Sequence, residues 1–114
     1  MLTIDAPSSQ IHEKEAAVDR LIEVRAFSYL IELVKDTWKP VAIREKALEA
    51  ISINPKGNEN FLFSIVTDWY ELFQFRKMAL NGLIQAESKS HLLKIVDGLE
   101  TPEWMRKLAV KALK

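Results

Sequence analysis

Two histidines, His12 and His91, and 16 acidic residues are the groups in this chain that could move protons or hold a metal. His12 stands three residues before Glu15, one helical turn away, which is the spacing of a carboxylate–imidazole pair. A di-metal bundle would need two Glu-x-x-His motifs with further glutamates, and His91 has no second histidine at ligand spacing. Both histidines are therefore expected in solvent. Glu45 and Glu49 are one turn apart, but an exposed helix face gives neither the burial that raises a carboxyl pKa. Ser8 and Ser9 follow Pro7 and read as helix caps before they read as nucleophiles. No Gly-rich phosphate loop, Ser-His-Asp ordering or HExxH motif occurs. The absence of cysteine excludes disulfides, thiol nucleophiles and Cys-ligated metals. The expectation is a protein with no catalytic residues, no metal and no cofactor.

The elements that carry these residues are helices. Three glycines and four prolines sit where helices should begin or end. Asn54-Pro55-Lys56-Gly57-Asn58 is the clearest turn, Pro40 follows a short turn at 36–39, and Gly98 and Pro102 bracket the last connection. Between the breaks, apolar residues recur at three and four, as in Ile43, Ala47, Leu48, Ile51 and in Phe75, Ala79, Leu80, Leu83. No stretch alternates long enough to need a strand. The chain has 114 residues, enough for one domain with a sizeable core, and 48% of them are hydrophobic. With 16 basic residues against 16 acidic ones, the zero net charge argues against general nucleic-acid binding, which depends on neutralising phosphates. The first ten residues lack the basic and apolar regions of a signal peptide, and no apolar run approaches bilayer length. A cytoplasmic protein without a membrane partner is expected.

The chain also repeats itself. Ile43-Arg-Glu-Lys-Ala-Leu-Glu-Ala-Ile51 aligns with Phe75-Arg-Lys-Met-Ala-Leu-Asn-Gly-Leu83 and with Met105-Arg-Lys-Leu-Ala-Val-Lys-Ala-Leu113. A fainter copy runs from Glu13 to Leu21. A second helix type lies between them: Leu30–Asp36, Leu62–Asp68 and Leu92–Gly98. The spacing from Asp36 to Arg44 equals that from Asp68 to Arg76 and from Gly98 to Arg106. Such copies cannot bury their apolar faces singly, so they must share a core. Ala17, Ala47, Ala79 and Ala109 are expected at the close contacts, with Val18, Leu48, Leu80 and Val110 filling the space between layers.

An apolar helix, an Asp, a short turn often with Pro, then apolar-Arg-x-x-Ala-apolar resembles the HEAT repeat. The period near 30 is similar to the short HEAT-like repeats of phycocyanobilin lyases. The resemblance spans about residues 11–114 and implies an all-α fold, a short α-α superhelix with one lone helix followed by three helical hairpins. Residues 1–9 would be an N-terminal extension and 10–114 a single repeat domain. It implies that Asp36, Asp68, Arg44, Arg76 and Arg106 tie successive repeats together. The copies are not uniform: Gly98 replaces the Asp, Lys14 the Arg, and Leu72 the Pro. One of Asn58, Glu59 or Asn60 absorbs the extra length of the second copy.

The resemblance further implies that the second helix of each hairpin lines a concave face. The positions one and five after the arginine share one side of each helix. In order they are Glu15 and Asp19, Glu45 and Glu49, Lys77 and Asn81, Lys107 and Lys111, running from acidic to basic. Aromatic residues gather near the turns at Trp38, Trp69, Tyr70, Phe73 and Trp104, and Trp38 and Tyr70 are equivalent in register. Such residues either close turns by packing on the next helix or act as binding hot spots. The leading functional expectation is a non-catalytic protein-binding scaffold or assembly factor using the concave face. The alternative is a subunit of a bilin lyase or related chromophore-handling enzyme, which the resemblance alone suggests. Nucleic-acid binding like that of HEAT-like DNA glycosylases is opposed by Glu15, Asp19, Glu45 and Glu49. The expected partner is another protein, with a second copy at the C-terminal helix as a further option.

Overall fold

The structure, a computed structural model, describes residues 8–99 and 101–114, with side chains from Glu13 onward. Seven α-helices and no strand are present among the described residues: α1 (Ser8–Glu23), α2 (Phe27–Lys35), α3 (Val41–Ile53), α4 (Glu59–Val66), α5 (Phe73–Gln85), α6 (Lys89–Asp97) and α7 (Glu103–Leu113). The fold is all-α. The expected caps at Ser8 and Ser9 and the His12–Glu15 pair involve side chains outside the described set. The chain forms two compact units, Met1–Ile51 and Ser52–Lys114.

In the first unit α1 packs against α2, and Val18, Leu30, Val34, Ile43 and Leu48 are buried. Ala47 is buried as its register requires, but Ala17 is exposed and Val18 holds the inner place beside it. A shift of one residue turns the buried stripe by about 100°, so the faint first copy presents a different face from the others. Helix α1 ends with Arg25 at φ 57, where Arg25 N donates to Ile22 O at 3.0 Å and Ala26 N to Leu21 O at 2.9 Å. This is a Schellman closure. Glu87 closes α5 in the same way at φ 55.

In the second unit α4 packs on α5 and α6 on α7, and α5 also touches both later helices. Phe75, Leu80, Leu83, Leu62 and Leu92 form its centre. Ala79 and Ala109 are buried, whereas Val110 is exposed on α7. Gly82 occupies the register of an alanine for a steric reason: a Cβ there would lie 2.9 Å from Leu62 Cδ1 and 3.2 Å from Ser52 Cα. The turn at 54–58 depends on Gly57 at φ 90, with Asn58 N donating to Pro55 O and Asn58 Nδ2 to Asn54 O. Leu72 and Pro102 sit at the same place before α5 and α7, with φ −62 and −57. The leucine adopts the torsion that the proline ring imposes.

Candidate functional site

The α2–α3, α4–α5 and α6–α7 turns are each fixed by an arginine reaching back to the end of the preceding helix. Arg44 Nε donates to Val34 O and Arg76 Nε to Val66 O, both at 2.9 Å. Helix C-termini leave such carbonyls without intrahelical donors, and a cation there also suits the helix dipole. The aspartates fold the turn itself. Asp36 Oδ1 accepts from Trp38 N at 3.0 Å, and Asp68 Oδ1 accepts from Tyr70 N at 2.9 Å. These are Asx turns, in which the side chain substitutes for a backbone carbonyl. In the third copy, with Gly98 in the Asp position, Arg106 Nη2 donates to Gly98 O at 2.7 Å. Arg76 additionally contacts the next pair, its Nη2 lying 3.8 Å from Met105 Sδ.

The residue two past each aspartate is carried outward by this turn. Trp38 is 86% exposed and Tyr70 99% exposed. Turn-closing by packing, the other sequence-based expectation for aromatics, applies elsewhere: Phe73 and Trp104 meet with ring centroids 4.8 Å apart, and Trp104 is half-buried. Trp69 remains largely exposed, with its ring 5.1 Å from the Arg76 guanidinium carbon.

The polar positions read from the register, all charged but Asn81, divide between the two units. In the first, Asp19, Glu45 and Glu49 are exposed and Glu15 is half-buried. Lys46 intrudes among them, with Nζ 2.9 Å from Asp19 Oδ1. The hydrogen bond to Asp19 raises the Lys46 pKa, and Glu15 and Glu49 add to the effect. The acidic set is thereby partly neutralised from within, which the register of the second helix type does not reveal. In the second unit Lys77, Asn81, Lys107 and Lys111 are exposed, and Lys107 lies 3.6 Å from Glu103.

His91 departs from its expected free exposure. It is half-buried, with Nε2 2.8 Å from Asn60 Oδ1 and Nδ1 2.6 Å from Ser88 Oγ, and its ring lies tilted against Phe63 with centroids 5.1 Å apart. With Nε2–H donating to the Asn60 oxygen, Nδ1 accepts from the serine. His91 thus pins the start of α6 to α4. No cluster of three or more His, Asp or Glu suited to a metal occurs among the described residues.

One concavity adjoins the aromatic turns of the second unit. It has a volume of about 480 Å³ and opens between the turn before α5 and the turn before α7. Val66, Ile95 and Met105 form an apolar floor, Trp69 and Leu99 stand at the rim, and Arg76 reaches in from α5. Leu99 is 99% exposed. Sequence reasoning missed it because a lone leucine after Gly98 belongs to no periodic stripe. Arg76 is only 9% exposed, and burial lowers its pKa against the opposing pull of Asp68.

The class these observations define is an all-helical protein with repeated, arginine-clamped helix pairs that display aromatic residues at their turns. No protein-family model, curated protein or solved structure matches the chain. No helix among the described residues is long and apolar enough to cross a membrane.

Proposed function

We propose that this chain is a non-catalytic protein-binding module, a small HEAT-like scaffold or assembly factor working in the cytoplasm. One observation carries the reading: Trp38 and Tyr70, equivalent in register, are 86% and 99% exposed on turns built by the same Asx bond. Large aromatics contribute strongly to association when they are buried by a partner, at a low cost in side-chain ordering. Displaying one of them in each unit by the same local device favours these turns over the charged positions as the binding elements. The polar positions of each unit, Glu15, Asp19, Glu45 and Glu49 in the first and Lys77, Asn81, Lys107 and Lys111 in the second, then tune the rate of the approach through their charges.

The test is a Trp38→Ser, Tyr70→Ser double variant. Both side chains are exposed, so helicity and thermal midpoint should stay at the wild-type level. Chemical crosslinking with identification of the joined proteins should lose the partners that wild type captures. Equal capture by the two proteins would overturn the assignment of binding to these turns. A second copy is the self-association version of the same idea, and light scattering across a concentration series reads it directly.

A further inference from the structure

We propose that the groove beside Trp69 receives a peptide segment of a partner protein in which a carboxylate adjoins a bulky apolar side chain, with the Arg76 guanidinium taking the carboxylate. The inference rests on the protein-binding reading above and gives the chemistry of the bound segment. Among the described residues Arg76 is a cation without a matched anion. Arg76 spends Nε on Val66 O, and Nη2 has only the thioether of Met105 at 3.8 Å, a weak acceptor. Among the described residues no carboxylate forms an ion pair with it, and Asp68 acts on it from farther away. A guanidinium carries five N–H donors, so most of those of Arg76 have no protein partner among the described residues and open toward the groove, although the side chain as a whole is buried.

Two features make that charge a recognition element. Arg76 lines the groove, so its free donors are reachable from the open side. Trp69 lies 5.1 Å from the guanidinium carbon and helps to hold it in place. A carboxylate entering the groove can accept two parallel N–H bonds there, displacing the water that otherwise meets those donors. The remaining surface asks for something different. Val66, Ile95 and Met105 beneath, with Leu99 standing free at the rim, gain only from an apolar group. A volume of about 480 Å³ lies within the range of small-ligand pockets and accommodates one large side chain with its adjoining backbone. A simple inorganic anion would use the arginine and leave the apolar floor and rim uncovered. A purely apolar segment would bury the cation without compensating it.

The experiment pans the full chain against a random heptapeptide display library. Enriched peptides should carry Asp or Glu within two positions of Leu, Ile, Phe or Trp. A synthesised winner should bind at least about tenfold more tightly than its Asp→Asn or Glu→Gln counterpart, the effect of one hydrogen bond to a charged group. Its titration should move the amide resonances of Gly98, Leu99 and Thr101. Arg76→Gln should abolish binding. Leu99→Ser, at a fully exposed site that cannot endanger the fold, should weaken it several-fold. Winners without an acid, a dispensable acid, unmoved Gly98–Thr101 signals, or equal shifts with inorganic phosphate alone would each overturn the groove proposal. Winners that ignore Arg76 and Leu99 but are lost with Tyr70→Ser would sink the groove and keep the protein-binding reading. No enrichment at all would sink the groove proposal and leave the protein-binding reading to the crosslinking test.

Discussion

The α4–α5 and α6–α7 pairs occupy equivalent stretches of sequence and solve the same turn with different parts. In the first, Asp68 folds the turn, Tyr70 is carried into solvent, and Arg76 is free to cap the Val66 carbonyl from a buried position. In the second, Gly98 supplies no side-chain acceptor, and Arg106 bonds to the Gly98 carbonyl itself, two residues further along. The arginine has moved into the work of the missing aspartate. Its Nε is left buried without a partner, so the substitute clamp is poorer than the original. A methyl group at Gly98 would collide with Thr101 Oγ1, which fits a turn drawn tight around the carbonyl. A repeat motif therefore specifies a task rather than a particular bond.

Substitutions at equivalent sites can break this pairing or sharpen it. Phe75 and Met105 hold the same register and are both buried. Phe75→Ala should cost about 3–5 kcal/mol in denaturant titrations, and Met105→Ala about 2–3 kcal/mol, because the shorter and more pliable side chain leaves a smaller cavity. Next come the clamps. Arg76→Ala should cost about 2–3 kcal/mol by leaving the Val66 carbonyl unpaired, and Arg106→Ala about 1 kcal/mol. Equal costs would show that the bond to Gly98 is as good as the bond to Val66. Asp68→Ala should cost roughly 0.5–1 kcal/mol and broaden the Tyr70 amide resonance, since the Asx acceptor is lost while the clamp remains.

The smallest effect lies in the other unit and serves as a control. Lys46 has its pKa raised in the folded chain by Asp19, so the protonated form is favoured by folding. That contribution is present at neutral pH and is lost as pH climbs through the ordinary lysine value of 10.5 and above. The pair is largely solvated, so only a few tenths of a kcal/mol are at stake. Asp19→Asn should flatten the alkaline fall in stability and leave the Arg76 and Arg106 comparison untouched.

Periodicity and punctuation made the helices legible, because burial on one face and turn chemistry are both written locally. The register aligned the three arginines, two of which are buried, but they bond to the preceding helix of their own pair and not, as the resemblance implied, chiefly from one repeat to the next. What the sequence concealed depends on partners distant along the chain. Asn60 meets His91 across 31 residues, and Lys46 enters the acidic set around Asp19 from another helix. Ala17 failed its register because the first copy has diverged enough for Val18 to take the inner place. The groove was hidden for a related reason: Leu99 and Trp69 line it from two turns about 30 residues apart in sequence.

The arginine clamp also has a consequence in time. Arg44–Val34 and Arg76–Val66 each span ten residues and Arg106–Gly98 spans eight, and loops of that length close in about 10–100 ns. Each helix pair can thus find its alignment from its own segment of chain, before the rest has emerged or collapsed. Folding that proceeds through such local closures is fast and passes few exposed intermediates to its surroundings.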